Sequence, residues 1–295
     1  MCGIIGATSS RSVGKILIKG LHAMEYRGYD SAGVALNQDS EVFRLRSLGK
    51  VSSLEELMIN NKPKAKSGIA HTRWATHGAP SEENAHPHGS HNEIYIVHNG
   101  IIENHDEIRE KLKEKGYKIA SETDSELIAH LIHLNKKDSS STLEALIKAT
   151  KELKGAFSIA AISSKEQGKI YAAKQKSPLL IGKGIEENFV ASDPLAIANI
   201  TEKFYLLEDG DFAEITKNEI KIFNSNGESV QREETKIDAT PTSTSKGNYT
   251  HFMEKEIYEQ PDALGNTING LSLIHISEPT RRRGIAGCGV GVEKK

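Results

Sequence analysis

The order of apolar patterns along the chain limits its fold more than any other feature. Apart from one helical period near the start, residues 2–101 hold short apolar runs typical of β-strands. Helical periods follow between residues 106 and 153, and strand patterns return after residue 156. Strands, then helices, then strands predict two sheets packed face to face with helices outside. The pattern therefore indicates an α+β layered domain rather than a βαβ alternation.

The individual segments follow from the same periodicities. Strands are predicted at Cys2–Thr8, Ser31–Leu36, Val42–Leu48, Gly68–Trp74, Ile94–Ile101, Phe157–Ile162, Ile170–Ala173, Leu179–Ile181, Phe189–Ala191, Phe204–Leu207 and Phe212–Phe223. Helices are predicted at Val13–Met24, Asp106–Lys115, Asp124–Leu134 and Leu143–Leu153. Thr123 and Glu126 form a capping-box pattern at the start of the third of these helices.

Composition changes towards the end of the chain. We predict one domain over residues 1–223, followed over 224–270 by a linker, polar across 224–249, and the start of a further domain. Leu271–Arg281 resembles the translation of a transposon adapter used in building sequencing libraries. Residues 271–295 are therefore predicted to be a non-native read-through tail and are excluded from the fold prediction.

Charge and cysteine content limit the partners and the compartment. The chain has 38 Lys and Arg against 40 Asp and Glu, which gives no general field for nucleic acid or an anionic membrane. We therefore expect a small ligand, no nucleic acid and no membrane. Two cysteines, Cys2 and Cys288, cannot form a disulfide framework, and no apolar run is typical of a signal peptide or a membrane span. These features predict a cytoplasmic protein.

Cys2 is the first candidate for chemistry. Most free cysteines are small buried hydrophobes, and a strand start is an ordinary place for one. If Met1 is removed, however, the thiol and a free α-amine lie on one residue. An α-amine titrates at about 7.7–8.0, so it is a base suited to neutral pH beside a strong nucleophile.

Three further segments carry groups that could serve such a nucleophile. Glu25–Gly33 and His71–Gly78 each hold an arginine, and a guanidinium is a natural clamp for a carboxylate. The Asn99 amide and the Gly100 N–H could both donate to a developing oxyanion. Each segment has an ordinary alternative, since Asn-Gly is often a hairpin turn and an arginine at a strand end is usually a solvated charge.

Together, in this order, the segments resemble class II (N-terminal nucleophile) glutamine amidotransferases over residues 1–270. Glu25–Gly33 and His71–Gly78 are similar to the sugar-phosphate branch of the family, rather than to asparagine synthetase or phosphoribosyl-pyrophosphate amidotransferase. The resemblance implies a four-layer αββα sandwich of two antiparallel sheets, of the N-terminal nucleophile hydrolase type.

The resemblance also implies roles for the central residues. Cys2 would attack the side-chain amide of glutamine with its own α-amine as the base, and Asn99 and Gly100 would hold the oxyanion. Arg73 would bind the α-carboxylate of the substrate, and Asp124 its α-ammonium. Asp124 has a second explanation, because the helix dipole stabilises an acidic residue in a first turn.

Four more residues receive roles by resemblance. Arg27 would support the surroundings of the nucleophile, and Thr76 and His77 would lie in a loop that closes over glutamine. Trp74 would gate the passage of ammonia towards a partner domain.

Histidines are dense between His71 and His105, where there are seven. They lack the cysteines, the paired carboxylates and the i, i+4 helical spacing that are typical of zinc sites. We therefore predict hydrogen-bonding histidines, no metal and no cofactor.

The resemblance predicts hydrolysis of L-glutamine through a cysteinyl thioester, which gives glutamate and ammonia. A further domain, missing here, would use the ammonia to convert fructose 6-phosphate into glucosamine 6-phosphate, in a full-length protein that is a homodimer. The alternative is a glutamine-binding module whose chemistry is too weak to matter without that domain.

Overall fold

A computed structural model describes residues 2–75, 78–237, 249, 254–255, 257–261 and 264. The chain divides into two compact units, residues 1–244 and 245–295. Of the second unit, residues 254–255 and 257–261 are helical. The predicted tail, residues 271–295, lies outside the described residues.

The first unit contains two antiparallel sheets. Their strands are β1 Gly3–Ser9, β2 Ser31–Gln38, β3 Glu41–Leu48, β4 Ser67–Arg73, β5 His88–Ser90, β6 Ile94–Ile102, β7 Gly155–Ser163, β8 Ile170–Gln175, β9 Leu180–Lys183, β10 Glu187–Ala191, β11 Lys203–Leu206, β12 Phe212–Ile215, β13 Ile220–Phe223, β14 Ser229–Val230 and β15 Glu234–Lys236. The first sheet has the order β15-β11-β9-β10-β1-β4-β2-β3, and the second has the order β14-β13-β12-β8-β7-β6-β5. In the first sheet, β1 is an inner strand, paired with both β10 and β4.

In the part of the first unit that the structure describes, five α-helices cover the outer faces of the sheets. They are α1 Gly14–Met24, α2 Val51–Asn61, α3 His105–Glu114, α4 Asp124–Lys136 and α5 Thr142–Thr150. Helix α4 starts with half of the predicted capping box, because the Thr123 side chain accepts a hydrogen bond from the Glu126 backbone N–H. The Glu126 carboxylate accepts from the N–H groups of Ala120 and Ser121 instead of that of Thr123. The first turn of α4, which includes Asp124, is thereby fixed.

Three apolar clusters separate four layers. One lies between α1, α2 and the first sheet and includes Leu17 and Phe189. A second lies between the two sheets and includes Ile4 and Val97. The third packs α3, α4 and α5 on the second sheet. The layers therefore run helix, sheet, sheet, helix, and the predicted four-layer α+β sandwich is confirmed.

Two secondary-structure predictions differ from the structure. The segment Phe212–Phe223 is not one strand, because β12 and β13 pair as a hairpin with Thr216 and Glu219 bonded across the turn. Helix α2 is not among the predicted helices, although Val51, Leu54 and Met58 form its buried stripe at helical spacing. That stripe is narrow because the other side chains of the helix are polar.

The sheets also continue into the segment predicted as a linker. Strand β14 pairs with β13, and β15 pairs with β11, although both follow Phe223. Edge strands of this kind are held by backbone hydrogen bonds, so their polar composition gives no strand pattern. Among the described residues, no helix combines the length and the apolar character needed to cross a membrane.

Gly20 allows α1 to approach the first sheet closely. A Cβ at this position would lie 2.2 Å from Ile5 Cδ1 and 2.9 Å from the backbone oxygen of Ala196. We expect Gly20→Ala to lower the free energy of unfolding by about 1–3 kcal/mol through overpacking, although alanine is the better helix former. Urea unfolding measures this change. Lys19→Ala, at an exposed position of the same helix, is the control and should change stability by less than about 0.5 kcal/mol. A Gly20→Ala variant as stable as the control would contradict the close approach.

Candidate active site

Cys2 lies directly before β1, at one end of the first sheet. The pairing of Gly3 with Thr72 brings it beside the end of β4. The Trp74 backbone N–H donates to Cys2 Sγ at 3.2 Å. Burial raises the pKa of the Cys2 thiol, and this hydrogen bond partly opposes the effect. The thiol is therefore protonated at neutral pH, and a base must take its proton before it can act as a nucleophile.

Asn99 and Gly100 reach the same place from the second sheet. Asn99 Nδ2 donates to the Cys2 carbonyl oxygen at 3.1 Å. Gly100 has a φ of 134°, and a Cβ there would lie 1.9 Å from the Ala156 oxygen. Both residues lie within β6, where they pair with Ser158 and Phe157 of β7, so the hairpin-turn alternative is excluded. The Asn99 amide is thus bonded to Cys2 and Gly100 lines the same cavity as Cys2, while their oxyanion roles stay predictions.

Arg73 and Asp124 line one cavity with Cys2. The Arg73 side chain is buried, and it donates to the carbonyl oxygens of Gly78 and Ala79 at 3.2 and 3.4 Å. Asp124 Oδ2 accepts the Ile102 backbone N–H at 2.8 Å, which ties α4 to the end of β6. The cavity therefore has one cationic and one anionic side chain, the minimum that recognition of an amino acid requires.

Trp74 lines the cavity, whereas Arg27 does not. Arg27 Nη1 donates to Asp193 Oδ2 at 2.9 Å. The Trp74 ring is about half exposed and meets the Tyr29 ring edge-on, with centroids 6.4 Å apart. The supporting role of Arg27 and the gating role of Trp74 stay predictions.

Thr76 and His77 lie outside the described residues, and their predicted role is untested. The segments on either side of them are anchored. Asp30 Oδ2 accepts the Ala75 N–H at 2.7 Å, and Glu122 Oε2 accepts the Ala79 N–H at 3.2 Å. These two carboxylates hold the backbone at Ala75 and at Ala79.

The cavity has further lining residues that the sequence does not single out, namely His86, His98, Thr123 and Ser125. His71 is also absent from the predicted set of site residues. Its Nε2 atom is hydrogen-bonded to Asn99 Oδ1 at 2.9 Å. A signal for His71 was present, because alternate residues of a strand share a face and His71 stands two positions before Arg73. Thr123 was predicted only as the helix cap beside Asp124, and His86 comes from a distant segment and had no such signal.

The histidines near the cavity are kept neutral by burial. Desolvation lowers the pKa of His71 and of His88 to about 3, and it lowers the pKa of His86 and His98 as well. His71 and His86 stack with ring centroids 4.1 Å apart. In the described part of the chain, no three His, Cys, Asp or Glu side chains group closely enough to hold a metal ion.

Residues 71–199 match the family of glutamine amidotransferase domains. The chain is 51% identical over 271 residues to glutamine--fructose-6-phosphate aminotransferase [isomerizing] of Vibrio parahaemolyticus. The protein of the same name from Haemophilus influenzae is also 51% identical over 271 residues. In both comparisons the match covers 92% of this chain but only 44% of the relative, so the chain spans less than half the length of these relatives.

Solved structures with the same fold are more distant in sequence. Glutamine phosphoribosylpyrophosphate amidotransferase from B. subtilis superposes with a TM-score of 0.66 at 24% identity, over 76% of this chain and 49% of that one. A glutamine aminotransferase class-II domain protein from Silicibacter pomeroyi gives a TM-score of 0.53 at 16% identity, over 76% of this chain and 99% of that one. These two likenesses bear on the fold alone.

The layered fold, the matched family and the sequence relatives together place the chain among the class II glutamine amidotransferases. Within that class, it is similar to the N-terminal part of glutamine--fructose-6-phosphate aminotransferase [isomerizing]. The family resemblance predicted from the sequence is confirmed.

The buried histidines should make the domain sensitive to acid. An unfolded histidine has a pKa of about 6.5, so at pH 5 the unfolded chain binds protons that native His71 and His88, with pKa values of about 3, do not bind. Because the unfolded state then holds more protons, stability decreases as the pH falls. We expect a loss of up to ~2 kcal/mol per histidine between pH 7 and pH 5, measured by urea unfolding at both values.

The variant His88→Gln serves as the internal control for this prediction. Its free energy of unfolding should differ less between pH 5 and pH 7 than that of the unaltered chain, because one buried imidazole is gone. Equal unfolding free energies at pH 5 and pH 7 in the unaltered chain would contradict a neutral buried cluster.

Proposed function

We propose that the domain hydrolyses the side-chain amide of L-glutamine through a thioester on Cys2. The observation that carries this proposal is the 3.1 Å hydrogen bond from Asn99 Nδ2 to the Cys2 carbonyl oxygen. It brings an amide donor of the second sheet to the nucleophile at the end of the first. An amide has two N–H groups, so one can stay on Cys2 while the other donates to an oxyanion.

The proposed reaction needs a proton acceptor beside the thiol. Sγ attacks the amide carbon of glutamine, and the thiol proton passes to the α-amine of Cys2. The C–N bond of the tetrahedral intermediate then breaks, and the protonated amine returns a proton to the leaving ammonia. Water hydrolyses the resulting thioester to glutamate and restores the thiol. This role requires Cys2 to be the N-terminal residue of the working protein, so that its amine is free.

Recognition of glutamine is assigned to the two charged residues of the cavity. Arg73 would exchange the carbonyl oxygens of Gly78 and Ala79 for the α-carboxylate of glutamine, to which it can bind through two N–H groups. Asp124 would accept from the α-ammonium with Oδ1, while Oδ2 stays on the Ile102 N–H. The exchange at Arg73 would couple substrate binding to the loop that contains Thr76 and His77.

Transfer of the ammonia belongs to the longer protein. In the relatives named for fructose 6-phosphate, the matched part is 44% of the length. We propose that a domain following this one binds fructose 6-phosphate and uses the ammonia to form glucosamine 6-phosphate. Trp74, which lines the cavity and is half exposed, is the proposed gate towards that domain, and the homodimer stays a prediction for the full-length protein.

Cys2→Ala removes the nucleophile and should reduce glutamate release from L-glutamine by roughly 10⁴-fold or more, as loss of a covalent nucleophile does in other enzymes. The assay measures glutamate and ammonia, and the intact mass of each sample establishes that Met1 has been removed. An unaltered chain that binds glutamine without releasing glutamate would contradict the proposal and leave a glutamine-binding module. With fructose 6-phosphate added, this chain should form no glucosamine 6-phosphate.

Asp124→Asn tests substrate recognition while keeping an acceptor for the Ile102 N–H. The variant loses only the charge that pairs with the α-ammonium, which is worth about 1.5–3 kcal/mol. We therefore expect KM for glutamine to rise roughly 10- to 100-fold, with kcat changed much less. Asp106→Asn is the matched control, because Asp106 occupies the exposed first turn of α3. An unchanged KM in Asp124→Asn would show that this aspartate only stabilises α4.

A further inference from the structure

His71 and Asn99 join the two sheets at the nucleophile through a continuous chain of hydrogen bonds. His71 Nε2 lies 2.9 Å from Asn99 Oδ1, and Asn99 Nδ2 lies 3.1 Å from the Cys2 carbonyl oxygen. His71 comes from β4 of the first sheet, whereas Asn99 comes from β6 of the second. The Asn99 amide is thus held from both ends.

We propose that His71 is a positioning residue, which fixes the orientation of the Asn99 amide so that its N–H groups, and not its oxygen, face the reacting centre. The proposal rests on the glutamine hydrolysis proposed above. His71 does not line the cavity, so it acts through Asn99.

The donors and acceptors along the chain leave one consistent arrangement. The Cys2 carbonyl oxygen can only accept, so the NH₂ end of the Asn99 amide must face it. The amide oxygen then faces His71, and the Nε2 atom of His71 must carry the hydrogen. A neutral imidazole with its proton on Nε2 meets this requirement.

The surroundings of His71 favour this single state. The side chain is 1% exposed, and its ring stacks on His86. Burial lowers its pKa to about 3, so it stays neutral at working pH and adds no second positive charge beside Arg73. A buried hydrogen bond in such a dry place orients its partner strongly, because the unpaired alternative is costly.

The consequence for the reaction concerns the transition state. If the Asn99 amide rotated by half a turn, its oxygen would face the oxyanion, and repulsion would replace a hydrogen bond. Holding the amide in the donor orientation before the substrate arrives lowers the reorganisation that the reaction requires. An effect of His71 should therefore appear in kcat rather than in KM.

Two amide variants separate this role from packing. Glutamine can place an N–H close to the position of Nε2, whereas asparagine, one methylene shorter, cannot reach Asn99 Oδ1. We expect His71→Asn to lower kcat for glutamate release roughly 10- to 100-fold, less than the ~10²–10³-fold typical of deleting an oxyanion donor, with KM within about threefold. His71→Gln should keep kcat within about fivefold of the unaltered chain.

A double-mutant cycle with Asn99→Ala tests whether His71 acts through that amide. In the Asn99→Ala background, His71→Asn should change kcat by less than about threefold. His130→Gln is the control for loss of a buried histidine. Its ring bonds to Ser90 and has no contact with Asn99, so kcat should be unchanged. Equal losses from His71→Asn with and without Asn99, or a loss confined to KM, would overturn the proposal.

The tautomer of His71 gives a readout that does not depend on activity. Nitrogen-15 NMR of the unaltered chain, assigned with the His71→Gln variant, should show the proton on Nε2 at pH 7. A proton on Nδ1 would overturn the positioning role, whatever the kinetics. If the unaltered chain with a free Cys2 amine releases no glutamate, the proposed function fails, and the tautomer still tests the arrangement of His71 and Asn99.

Discussion

The face-to-face packing of the two sheets sets the distance between Cys2, the proposed nucleophile, and Asn99, its proposed oxyanion donor. Cys2 stands at the end of an inner strand of the first sheet, and Asn99 lies in β6 of the second. The two residues are far apart in sequence, so no short segment of the chain holds them together. The apolar layer that contains Ile4 and Val97 holds the sheets at a fixed separation. The hydrogen bond between Asn99 and the Cys2 carbonyl can form only at that separation. A substitution that loosens the packing of this layer would therefore change the distance between Cys2 and Asn99, even with both residues unaltered.

A second constraint is that most polar groups around the cavity lie out of water. Arg73, Asp124 and His71 are all buried, and each has hydrogen-bond partners from another segment of the chain. In such surroundings a wrongly oriented donor is expensive, which keeps the site rigid before substrate binds. The carbonyl oxygens of Gly78 and Ala79 accept from Arg73 where the substrate carboxylate is proposed to bind, so these backbone groups and the substrate would compete for one guanidinium.

The glutaminase-type site proposed here lies in a chain that spans less than half the length of its sequence relatives. The structural relatives share the sandwich but belong to enzymes with other names, while the sequence relatives are named for fructose 6-phosphate. This contrast agrees with a general rule that the fold alone does not determine the acceptor. The acceptor specificity proposed here follows from sequence similarity, including the segments Glu25–Gly33 and His71–Gly78, and not from the sandwich.

The sequence by itself determined the layered α+β class and the start of α4, because periodicity and capping are local properties, and the family resemblance supplied the candidate residues Cys2, Asn99 and Asp124. It did not reveal the split between β12 and β13 or the edge strands after Phe223, since backbone pairing leaves no mark on polar side chains. The predicted strand Ile94–Ile101 already contained Asn99, but only the tertiary structure paired Asn99 with Ser158 of β7, which excludes the hairpin turn, and bonded His71 to it. Those contacts join residues far apart in sequence, and their geometry depends on how the two sheets pack.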